Sequence, residues 1–128
     1  MVFNPEEHHR RSIRLQGYDY SQGGMYFITI CCNNQTCWFG EIIDDEMVLN
    51  EYGNIAYNEW VKLSERFCNF ESNIFVITPN HIHGIIELMD NNTIGATIGD
   101  IIGAYKSLVA MNCLKIYKSK NQKMGKLW

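Results

Sequence analysis

Asn73-Ile74-Phe75-Val76-Ile77-Thr78-Pro79-Asn80-His81-Ile82-His83-Gly84-Ile85-Ile86-Glu87-Leu88-Met89 reads as two apolar runs joined by a turn. Pro79-Asn80 interrupts the β pattern, so the second run begins at or near His81. Side chains two apart on a strand share a face. His81 and His83 therefore project together, and Ile82 points into the opposite layer. Their Cα atoms lie about 6–7 Å apart, close enough for both imidazoles to meet on one metal ion. A hairpin with a polar pair on one face and aliphatics on the other is half of a layered α+β domain.

The same reading extends outward. Met25-Tyr26-Phe27-Ile28-Thr29-Ile30-Cys31-Cys32 is aromatic and β-branched, as expected of a central strand. Residues 36–43 and Met47-Val48-Leu49 read as an extra hairpin on the sheet edge. Asn50 caps a helix running to about Phe67, with Tyr52, Ala56, Trp60, Leu63 and Phe67 at helical spacing as a core stripe. Thr97 and Asp100 form a capping box for a second helix, with Ile98, Ile101, Ile102, Tyr105, Leu108, Val109 and Ile116 on its apolar side. Leu127-Trp128 reads as the start of another strand. The order β, α, β, β, α, then a stub predicts a ferredoxin-like (RRM-like) sandwich. It is an antiparallel sheet with two helices on one face, its final strand and helix cut short. Residues 1–24 read as an N-terminal arm and 25–128 as one domain.

Composition narrows the function classes. The chain has 128 residues, 46% hydrophobic and 20% charged, as for a globular protein with a core. No apolar run reaches the roughly 18–20 residues of a membrane span, and the first residues lack a signal-peptide apolar region. A cytoplasmic location and no membrane partner are expected. The five cysteines include no Cys-x-x-Cys pair and read as reduced, mostly buried thiols. The net charge of −3 hides an asymmetry. All 14 acidic residues precede residue 101, whereas the last 28 residues hold six lysines and no acid. Lys106, Lys115, Lys118, Lys120, Lys123 and Lys126 are either a solvated helix face and tail or a phosphate-contacting surface. Arg10, Arg11 and Arg14 form a second basic cluster.

Several chemistries use His-x-His. A nucleotide hydrolase of the histidine-triad type needs a third His, and residue 85 is Ile. A two-His phosphodiesterase needs a second His-x-Ser/Thr, which is absent. A zinc protease helix would read His-Glu-x-x-His, also absent, and His8-His9 is poorly placed to complete a structural zinc site. The two-histidine pair around a hydrophobic residue, the HUH arrangement of single-strand DNA nucleases and transposases, remains.

The chain resembles REP-associated tyrosine transposases along most of its length. Arg11-Ser12-Ile13-Arg14-Leu15-Gln16-Gly17-Tyr18-Asp19-Tyr20-Ser21 is similar to their N-terminal arm, and Tyr26-Phe27-Ile28-Thr29-Ile30-Cys31 to their first strand. Pro79-Asn80-His81-Ile82-His83-Gly84-Ile85-Ile86 resembles their HUH block, and Ile102-Gly103-Ala104-Tyr105-Lys106-Ser107 their second helix.

The resemblance implies DNA transposition through metal-dependent single-strand cleavage and rejoining, with a phosphotyrosine intermediate. It implies His81 and His83 as ligands of a divalent metal, Mg²⁺ or Mn²⁺, and single-stranded or hairpin DNA as partner. It places the nucleophilic tyrosine on a helix after the strand that opens near Leu127-Trp128, beyond the last residue here. Tyr105 and Tyr117 are the substitutes within the chain, and packing is the better expectation for both. An unpaired sheet edge predicts a homodimer. Two alternatives stay open: a non-catalytic DNA-binding or interaction remnant, and a metal-dependent phosphoesterase using His81 and His83 with an activated water. The second lacks an acid–base partner, since Glu87 on the same face lies about 13 Å from His83 at strand rise.

Overall fold

The period-2 runs become strands because each buries one row of aliphatic side chains. The computed structural model describes residues 23–89 and 96–128. The fold is α+β. Strands β1 (Gly24–Cys31), β4 (Phe70–Ile77) and β5 (His81–Leu88) form an antiparallel sheet in the order β1-β5-β4. Between β1 and β4 come β2 (Gly40–Ile43), β3 (Glu46–Leu49), α1 (Glu51–Val61) and the short α2 (Leu63–Arg66). Helix α3 (Ile98–Ser119) follows the sheet. This is compatible with the expected ferredoxin-like sandwich.

Two details differ from expectation. β2 and β3 pair only with each other and form a separate two-stranded sheet, not an edge of the larger one. The helix expected from 51 to about 67 breaks at Lys62 into α1 and α2. Both caps read from sequence are present. Asn50 Oδ1 accepts from the N–H groups of Tyr52 and Gly53, and Thr97 with Asp100 forms a complete capping box.

The core lies between the sheet and the helices. Ile30, Ile77, Ile82, Ile86 and Leu88 from the strands meet Ala56, Trp60, Leu63, Ile101, Tyr105, Val109 and Cys113 from the helices. Trp60 is the centre of this layer. Its ring stacks on Phe75 at 5.2 Å between centroids and meets Tyr105 edge-on at 5.3 Å, and its Nε1 donates to Ser72 Oγ at 2.9 Å. The ring lies over Gly84, where an added Cβ would sit 2.5 Å from Trp60 Cζ2. Glycine follows the two histidines because the indole occupies the space of a side chain. The buried Glu59 carboxylate is neutralised by Arg66 at 3.0 Å.

The opposite face of the sheet is left uncovered by the described residues. Phe27 is 79% exposed, and Met25, Ile74 and Val76 are also exposed on it. The histidine pair stands at one end of this open face, and Glu71 and Glu87 face each other at the other end.

Candidate metal centre

Strand register sets the positions of the imidazoles. His81 lies opposite Cys31 and His83 opposite Thr29. The Cys32 N–H donates to Asn80 O at 2.9 Å, which makes Cys31–His81 a non-hydrogen-bonded pair, and Thr29–His83 the next one along. Such pairs bring Cα atoms to about 4.5 Å, the closest cross-strand approach. Thr29 Oγ1 is accordingly 3.1 Å from His83 Nδ1.

The turn before β5 holds the other ring. Thr78 N–H donates to His81 O at 2.9 Å, and the Thr78 hydroxyl donates to the same carbonyl at 3.0 Å. With its hydrogen used there, Thr78 Oγ1 accepts from His81 Nδ1 at 2.8 Å, and Asn80 Oδ1 accepts from it at 2.7 Å. Both partners require the proton on Nδ1, so Nε2 of His81 presents a lone pair. That atom accepts a hydrogen bond from Nε2–H of His83 at 2.8 Å, with the rings 82° apart, and a bound cation would take the place of that proton.

This geometry fits a divalent cation. With metal–nitrogen bonds near ~2.1 Å, adjacent ligands of an octahedral ion lie about 3.0 Å apart. A hydrogen bond at the far ring nitrogen is the usual means of fixing a metal-binding imidazole, and here hydroxyl and amide oxygens stand where a carboxylate, a backbone carbonyl or water is more common. The two histidines supply two ligands. Among the described residues no group of three His, Cys, Asp or Glu side chains is placed to hold a metal. The remaining positions fall to water or to ligand oxygens, which a hard ion such as Mg²⁺ prefers.

Burial, and then the neighbouring His83, pull His81 below the usual imidazole value of 6.5. The folded state thus favours neutral His81, and the unfolded chain protonates first. This contribution to stability is full above about pH 6.5 and is lost as pH falls through the lower folded value. Urea midpoints at pH 7.5 and pH 5 should show this loss, and it should shrink in His81→Gln.

The other expected site residues are not gathered here. Lys106, Lys115, Lys118 and Lys120 are on or just after α3, in the helical layer across the sheet from the imidazoles. Lys106 Nζ lies over the Trp128 ring at 5.8 Å, and Lys120 is ion-paired to Glu51 at 2.6 Å. Lys123 and Lys126 are exposed on the segment leading to Leu127, whose carbonyl accepts from Asn33 N–H just past the His81 end of β1. Arg10, Arg11 and Arg14 fall outside the described residues.

Tyr105 is fully buried and donates to Ala56 O at 2.8 Å, and burial drives its phenol far above its ordinary value. Tyr117 stacks on Tyr52 at 5.4 Å. Both are packing residues. The cysteines are free, but Cys31, Cys37 and Cys68 are exposed rather than buried, and only Cys32 and Cys113 are core thiols. Burial pushes those two up to about 12, so they are inert.

Sequence reading missed Thr29, Thr78 and Asn80 as orienting residues. Thr78 and Asn80 flank the motif and could have been suspected from that. Thr29 is 54 residues from His83, and only register joins them.

No family model matches the chain, and no solved structure matches it. It is similar to an uncharacterized protein of Haemophilus influenzae, 49% identical over 88 residues. That match covers 69% of this chain and 49% of the relative, so the chain spans about half the length of the curated relative it matches. No helix among the described residues is long and apolar enough to cross a membrane.

Proposed function

We propose that this chain is the metal- and DNA-binding portion of an HUH-type DNA strand transferase of the REP-associated tyrosine transposase kind. The observation that carries this reading is the convergence of two Nε2 atoms at 2.8 Å on an open sheet face, each ring fixed through its Nδ1. A divalent ion, Mg²⁺ or Mn²⁺, bound there would polarise a phosphodiester oxygen. His81 and His83 would hold it, and Thr29, Thr78 and Asn80 would keep their lone pairs aimed at it. Phe27, exposed on the same face, offers a ring on which a base of a single strand can stack. Lys123 and Lys126 place positive charge near the imidazole end of the sheet, whereas Glu71 and Glu87 would repel phosphate from the other. Exposed free thiols suit a reducing, cytoplasmic setting.

In this reading cleavage and rejoining through a phosphotyrosine require a nucleophile other than Tyr105 and Tyr117, and a second copy of the chain is a further partner. The burial of Tyr105 and the stacking of Tyr117 favour packing over nucleophilic attack for these two residues. Binding to a labelled DNA hairpin with a single-stranded flank, followed against salt in the presence of Mn²⁺, tests the proposal. Affinity should fall by at least about tenfold between 50 and 200 mM salt, with no covalent adduct on a denaturing gel. Absence of binding at low salt would refute the DNA reading, and an adduct would refute the assignment of the nucleophile elsewhere.

A further inference from the structure

Three places among the described residues hold non-glycine backbone in the left-handed region: Asn34-Gln35, Asp44-Asp45 and Asn121. Two have an architectural reason. Asp44 and Asp45 are the two-residue turn of the β2–β3 hairpin, which needs positive φ at both positions. Asn121 follows α3, where a left-handed residue closes the last turn. Asn34 (φ 54°, ψ 27°) and Gln35 (φ 56°) serve neither purpose, and glutamine rarely adopts this conformation. Backbone strain of this kind concentrates at functional sites.

The turn stands at the imidazole end of the sheet. It follows β1, whose Cys31 lies opposite His81. Cys32 N–H donates to Asn80 O at 2.9 Å, and Asn80 Nδ2 reaches Gln35 O at 3.5 Å. Asn80 Oδ1 also holds His81 Nδ1, so one side chain touches both the metal-binding ring and the turn. On the other flank Asn33 N–H donates to Leu127 O at 2.8 Å, which brings the segment carrying exposed Lys126 alongside.

Residues 32–40 contain no charged side chain. Along an extended strand successive side chains point to opposite faces, whereas this turn leaves Asn34 and Gln35 both exposed. Each ends in a carboxamide, with a donor and an acceptor side by side. Neutral amides between a cation site and a lysine have no charge with which to hold phosphate. They do match the paired donor and acceptor on the edge of an unpaired base.

We propose that Asn34 and Gln35 read the base of a nucleotide next to the metal-bound phosphate, and that this base is adenine. Adenine presents an amino donor beside a ring-nitrogen acceptor, the pattern that a carboxamide meets with two hydrogen bonds. The proposal rests on the DNA-binding reading, since phosphate on the ion is what brings a neighbouring base to the turn.

Fluorescence anisotropy with labelled strands of about ten deoxyadenylates, deoxythymidylates or deoxycytidylates, in Mn²⁺ at low salt, tests it. A homopolymer presents its base in every register. The adenine strand should bind at least about fivefold tighter than either pyrimidine strand, the low end for a two-bond contact. The double variant Asn34→Gly, Gln35→Gly should erase this preference. Glycine takes positive φ without steric cost, so the urea midpoint should hold, which separates base reading from folding. The wild-type comparison stands without any variant. Equal affinity for the three strands, or preference for a pyrimidine, would overturn the base reading and leave DNA binding in place. A preference that persists in the double variant would overturn it by moving recognition to another surface. No binding to any strand would overturn both readings.

Discussion

Replacing either His81 or His83 by alanine should lower Mn²⁺ affinity by at least about 100-fold and leave the fold intact. Removing groups that merely orient a metal ligand costs about 10–100-fold, and removing a ligand costs more. Here each histidine is half of the protein's donor set, so the loss should be near complete. The fold should survive because His83 is exposed and His81 only partly covered, with neither in the core. Thr78→Val and Thr29→Val provide the graded comparison. Each removes a hydroxyl at a ring Nδ1, leaves both Nε2 atoms present, and should weaken Mn²⁺ by about tenfold. Calorimetric titration checks all four variants. Equal affinities in the wild type and the histidine variants would mean that the ion binds elsewhere.

Gly84→Val should destabilise the protein by about 3 kcal/mol, the upper end for overpacking a well-filled core. The reason is the Trp60 ring, whose Cζ2 and Cη2 would lie 2.5 and 2.6 Å from the new Cβ. Trp60 has little freedom to move, since Phe75 stacks on it, Tyr105 meets its plane and Ser72 holds its Nε1. If the indole is the cause, Trp60→Phe should rescue part of the loss, because the smaller ring frees space above residue 84. On its own Trp60→Phe should destabilise, through the cavity and the lost bond to Ser72. The double-mutant cycle in urea should therefore show a favourable coupling. Purely additive losses would contradict the close packing of this pair. Gly84 borders His83, so the same variant should also loosen the metal centre.

The features that local sequence could carry were legible. The turn at Pro79-Asn80, the alternation through His81, Ile82 and His83, and the two helix caps each depend on residues a few positions apart. So did the placement of Tyr105, whose helical spacing put it in the core. What could not be read depends on pairing between distant segments. The approach of Thr29 to His83 requires the β1–β5 register. The indole over Gly84 joins a helix and a strand, although a glycine inside an apolar strand does suggest close contact. The hairpin of β2 and β3 was found, but its attachment to the main sheet was an inference from strand order, and the two strands pair only with each other. Cysteine is often buried, so most of the five thiols are expected inside, yet Cys31, Cys37 and Cys68 are exposed, and alternation along the chain puts Cys31 on the open side and Cys32 in the core.

The central claim is that His81 and His83 form one metal site on the open sheet face. Imidazole nitrogen spectra during a Mn²⁺ titration test it most directly. Both rings should broaden together, saturating at one ion per chain. Broadening of only one of the pair, or an effect centred on His8 and His9, would contradict it.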